Sequence, residues 1–76
     1  MTAKIIKIPD GLTERETIAW MIKAFHKILD FCEIKKIKKA EFIVDYSGEI
    51  EIDGKMMPCQ KTWTLKEMKN WINMQD

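Results

Sequence analysis

Two hydrophobic periodicities alternate along the chain. The run AKIIKIP, Ala3 to Pro9, is short and β-branched. It ends in Pro9-Asp10-Gly11, which supplies a fixed φ, an Asx acceptor and a permissive glycine, so it predicts a first strand closed by a turn. The period then lengthens. Ile18, Met21, Ile22, Phe25, Ile28, Leu29 and Cys32 recur at the spacing of one helical face. Ahead of them, TERE carries Thr13 and Glu16 at the separation of a capping box, in which each side chain accepts from the other's backbone N–H. The helix is expected to run to about Ile34–Ile37, with lysines following that suit the negative end of its dipole.

Alternation returns in AEFIVDY, Ala40 to Tyr46, the expected second strand. Ser47-Gly48 reads as a turn and EIEI, Glu49 to Ile52, as the third strand. Asp53-Gly54 is a hairpin signal. KMMPCQK offers a fourth strand that Pro58 would confine to an edge. TLKE then repeats the capping box, with Thr64 as cap and Glu67 as its partner. Trp63 is set to staple onto Met68, and Leu65, Met68, Trp71 and Ile72 form the apolar face of a second helix.

The predicted order is β-α-β-β-(β)-α over residues 1–76. It is a single α+β domain of two layers, with a mainly antiparallel sheet and two helices on one face. Strand order stays open, and register follows the buried face. A two-residue Ser47-Gly48 loop between strands two and three would set Tyr46 opposite Glu49 and mix the apolar and acidic sets. Aligning Tyr46 with Ile50, the favoured register, needs an odd-length loop with a bulge. That pairing puts Phe42, Val44, Tyr46, Ile50 and Ile52 on one side and Glu41, Asp45, Glu49, Glu51 and Asp53 on the other.

The first helix has more apolar surface than one neighbour needs. Trp20, Ala24 and Phe31 form a second stripe about 110° from the centre of the first at 100° per residue. Two covers suggest themselves: the C-terminal helix through Trp71 and Met68, or a partner, including a second copy of the chain, with Trp20 as its anchor.

Charge sharpens this reading. Residues through Lys39 carry nine basic and five acidic side chains, net +4, and the remainder carry four and seven, net −3, so the overall +1 hides a dipolar molecule. The acidic strand face accepts a few tenths to about 1 kcal/mol of repulsion per like-charged pair. That makes it the leading candidate docking surface, aimed at a basic protein. Lys35, Lys36, Lys38 and Lys39 form the alternative, a phosphate-binding segment. There is one arginine, Arg15, against twelve lysines. The bidentate base reading that arginine favours is therefore poorly supplied.

Chemistry adds little. His26 stands alone, and Cys32 and Cys59 are too few, with one histidine, to build a four-ligand zinc site. Both thiols are expected to be small buried hydrophobes. DYSGEIEIDG lacks the spacing of a calcium loop. No nucleophile elbow, P-loop or HExxH is present. The expectation is no catalytic residue, no metal and no cofactor. No run approaches the roughly 20 apolar residues of a membrane span, and MTAKIIKIPDG is no secretory leader, which points to the cytoplasm and away from membranes.

In size and in its lack of motifs the chain resembles phage and mobile-element inhibitors of host machinery, anti-defence and anti-CRISPR proteins among them. The resemblance is one of style only. It implies a small non-enzymatic module that occupies a surface of a larger host protein, itself a nucleic-acid binder if the acids imitate a phosphate backbone. The expected contact residues are Glu41, Asp45, Glu49, Glu51 and Asp53, with Trp20 and Phe31 as an apolar second contact. A nucleic-acid module using Lys35–Lys39 and a homodimer with structural or regulatory duties are the alternatives.

Overall fold

The computed structural model describes residues 4–46, 48 and 50–75. Its elements are β1 (Lys4–Lys7), α1 (Glu14–Ile34), β2 (Glu41–Asp45), β3 (Ile50–Ile52), β4 (Lys55–Met57), β5 (Gln60–Thr64) and α2 (Leu65–Asn73). The α+β domain is as expected, with a fifth strand added. Ser47 and Glu49, read from sequence as part of a turn and the start of a strand, lie outside the described residues.

Both capping boxes form. Glu16 N–H donates to Thr13 Oγ1 at 3.2 Å and Thr13 N–H to Glu16 Oε1 at 3.0 Å. Thr64 and Glu67 repeat the pattern at 3.1 and 3.0 Å. α1 ends in a Schellman motif, with Ile37 N–H on Cys32 O at 2.7 Å and Lys36 N–H on Glu33 O at 3.1 Å. Lys36, at φ 58°, occupies the left-handed position that glycine usually takes.

The strands divide into two sheets. One has the order β1-β2-β5 and the other is the hairpin β3-β4. β1 and β2 run parallel, as the α1 crossover between them requires, with Ile6 beside Val44 and Lys7 beside Asp45. β2 and β5 are antiparallel, with Phe42 beside Trp63 and Val44 beside Lys61. Asp53 and Gly54, with φ 54° and 78°, form the two-residue turn that the hairpin signal predicts, setting Ile52 opposite Lys55.

The expected hairpin between the second and third strands does not form. β2 has β1 and β5 on its two sides, and Tyr46 N–H extends the second of these ladders to Cys59 O at 2.7 Å. Like-charge avoidance supplies a physical reason. Pairing β2 with the EIEI segment brings acids toward acids, whereas the observed register places Asp45 between Lys7 and Gln60, and Glu41 opposite Thr64.

The core lies between the three-stranded sheet, the helices and the hairpin. Met21, Phe25, Val44, Ile52 and Met68 are fully buried. Three aromatic rings bind the layers: Phe25 of α1 meets Trp63 of β5 at 5.1 Å and Trp71 of α2 at 5.6 Å, and the two indoles are 6.0 Å apart. Truncating such a buried phenylalanine to alanine costs about 3–5 kcal/mol. A chain this short holds only roughly 4–11 kcal/mol in total. The aromatic triad therefore carries a large share of the fold.

Candidate interaction surface

The second apolar stripe of α1 is not covered by α2. α2 packs along the other flank, where Phe25 meets Trp71, and Leu65, Lys66 and Lys69 share a groove with Leu29, Cys32 and Glu33. Trp20 and Ala24 instead line a groove with Ile6 of β1, together with Lys23, Lys27 and Ile28. Phe31 lines a second groove with Lys4, Ile5 and Ile6. Ile6, Lys27 and Ile28 belong to both, so the two hollows, about 470 and 420 Å³, form one trough between α1 and β1.

Strand geometry explains why this trough stays open. β1 is an edge of its sheet, so the flank beyond it has no neighbouring strand among the described residues. Ile5 and Ile6 point to opposite faces, as successive strand residues must. Both nevertheless line the trough, together with Ala40, Glu41 and Phe42 at the start of β2. Three exposed apolar residues line it, Ile5 at 63%, Phe31 at 53% and Ile37 at 38%, while Met56 and Met74 lie in a separate groove between the β3–β4 hairpin and α2. Trp20 is half-buried against the margin of the core. The charged residues lining the trough are Lys4, Lys23 and Lys27 against Glu41. Apolar in its floor, the trough is basic at its rim.

The expected acidic face is dispersed, because the residues meant to share it belong to different sheets. Glu41 and Asp45 lie on β2, Asp45 opposite Lys7 and Gln60. Glu51 is exposed on the separate hairpin. Asp53 sits in the hairpin turn, where its Oδ2 accepts from Trp71 Nε1 at 3.1 Å and Gln75 Nε2 at 2.8 Å. Glu49 lies outside the described residues. Trp20 and Phe31 are brought into one surface, as their wheel positions imply. Ile5, Ile6, Lys4, Lys23 and Lys27 were not among the sequence candidates. Only the edge position of β1 recruits them.

Of the lysine segment, Lys36 and Lys38 face Lys66 and Lys69 across a groove between the end of α1 and the start of α2. Lys35 and Lys39 are exposed beside it. Both thiols are free, Cys32 buried and Cys59 exposed. The expectation of two buried thiols fails for Cys59, which lies in the surface bend between β4 and β5. His26 is exposed on α1. Among the described residues no cluster of His, Cys, Asp or Glu is arranged to hold a metal ion, and no helix is long and apolar enough to cross a membrane. Compared with known protein families, with curated proteins and with solved structures, the chain finds no match.

Proposed function

We propose that this protein is a small, non-enzymatic interaction module of the cytoplasm, an inhibitor of the phage or mobile-element type that acts by occupying the surface of a larger host protein. The observation that carries the reading is the trough beside β1, where Phe31 and Ile5 are more than half exposed next to an open strand edge. Exposed apolar side chains scattered singly need no explanation, but a contiguous group does. The working surface is thus the Trp20/Phe31 face of α1 with β1, and not the dispersed acids.

Affinity capture from lysate of the native host tests this. The wild type and a Glu51→Lys variant are expected to retain the same host protein, and Phe31→Glu to lose it while keeping its circular dichroism spectrum. A partner retained equally by Phe31→Glu, or no partner at all, would overturn the reading.

A second reading rests on the lysines that α2 contributes to the α1 terminus. Lys36, Lys38, Lys66 and Lys69 together suit a phosphate backbone. It requires a gel-shift complex at low salt that Lys66→Glu/Lys69→Glu abolishes. Without that complex the second reading fails.

A further inference from the structure

We propose that the trough receives an extended acidic segment of the partner protein, which adds to β1 as a new strand of the three-stranded sheet. The inference rests on the interaction reading above and names the partner's chemistry. Two independent features of the surface converge on it. The first is the edge. β1 presents one row of backbone N–H and C=O groups to β2, and no described strand pairs with the opposite row. The Trp20 end of the trough takes only Ile6 of β1 from the sheet, whereas its Phe31 end also reaches Ala40, Glu41 and Phe42 on the β2 side. A strand laid along that row forms main-chain hydrogen bonds and directs alternate side chains to one face, where Ile6, Trp20, Ala24 and Ile28 offer an apolar floor.

The second feature is charge. Lys4, Lys23 and Lys27 rim the trough against one carboxylate, Glu41, and Lys7 stands exposed at the end of the same strand. A partner segment bearing glutamates or aspartates is attracted and steered, and one bearing lysines is repelled. The same lysines argue against a second copy of the chain as occupant. Two β1 strands paired about a two-fold axis between Ile5 and Ile6 would set Lys4 against the other copy's Lys7, with both trough rims positive. Edge lysines commonly block such self-pairing.

The test uses the intact protein and a short fluorescein-labelled peptide alternating glutamate with valine. Controls are the same peptide with lysine for glutamate, and a labelled oligothymidylate. Fluorescence anisotropy is expected to show the acidic peptide binding at least about tenfold tighter than the lysine peptide, with affinity that falls as salt rises. Amide hydrogen exchange is expected to slow at alternate residues of Lys4–Lys7, a signature that side-chain docking alone does not produce. Lys27→Glu should narrow the peptide preference without altering the fold, because Lys27 is exposed and its reversal lowers the net positive charge of the rim. Equal binding of both peptides, absence of binding, or binding without protection of β1 overturns the proposal. So does displacement of the peptide by the oligonucleotide, or dimerisation of the free chain by light scattering that Phe31→Glu abolishes. Host-protein capture that depends on Phe31 while the peptide fails would remove strand addition and leave the interaction reading standing. Failure of both would remove both.

Discussion

The indole Nε1 of Trp71 donates a 3.1 Å hydrogen bond to Asp53 Oδ2, fastening α2 to the turn of the β3–β4 hairpin. Gln75 Nε2 donates to the same oxygen at 2.8 Å. Asp53 also holds a left-handed φ of 54°, which aspartate and asparagine tolerate better than most residues. Asp53→Ala removes the acceptor and strains the turn, and should cost about 2–3 kcal/mol. Asp53→Asn keeps both an acceptor oxygen and the turn preference, so its loss should be distinctly smaller. Urea unfolding followed by tryptophan fluorescence compares the two, and equal losses would show that the tether contributes nothing specific.

Trp63 Nε1 donates to Tyr46 Oη at 3.1 Å inside the core. Tyr46→Phe leaves that indole N–H without its acceptor, and the expected loss is about 1–3 kcal/mol. Burial pushes the Tyr46 hydroxyl up to about 12, against an opposing pull from the Trp63 hydrogen bond. The sign follows. With the folded value raised, the contribution is fully present below the unfolded value of 10.0 and is lost as pH climbs through about 12. Between those limits the wild type should lose stability faster than Tyr46→Phe, as equilibrium unfolding at stepped pH will register.

The glutamates of both capping boxes sit below their ordinary value of 4.5. For Glu16 the main cause is the backbone N–H of Thr13, and for Glu67 it is that of Thr64, with Lys61 assisting at 3.6 Å. A lowered folded value means stability present above 4.5 and lost as pH falls through the folded value. Glu16→Gln/Glu67→Gln should therefore flatten the acid side of the stability profile. Thr64→Ala removes the cap itself and should cost about 1 kcal/mol at neutral pH. Thermal unfolding across an acid pH series checks both.

Lys36 closes α1 from the left-handed region, at φ 58°. A side chain there costs roughly 1–2 kcal/mol, and glycine returns part of that gain through the greater freedom of its unfolded chain. Lys36→Gly should stabilise the protein by about 0.5–1 kcal/mol. An unchanged or lowered melting temperature would show that the lysine side chain compensates locally.

What was legible in advance was local. Thr13 with Glu16 and Thr64 with Glu67 announced both helix starts, because a capping box joins residues three positions apart. Asp53-Gly54 announced the hairpin, because the turn type needs positive φ at adjacent positions. The helix wheel separated Trp20 and Phe31 from the core face of α1 without any knowledge of what lay opposite.

Strand partners were another matter. Glu41, Asp45, Glu51 and Asp53 looked like one acidic face because their strands are neighbours along the chain, and neighbours usually pair. In the folded protein β2 lies instead between β1 and β5, with Trp63 buried beside Phe42, and the exposed Asp53 accepts a hydrogen bond from Trp71. The trough exists only because that choice leaves β1 at an edge, with α2 on the far flank of α1. Periodicity, capping and turn chemistry act over a few residues and can be read directly. Which strand pairs with which is a competition among distant segments, settled by the aromatic burial and charge separation that the whole chain achieves together.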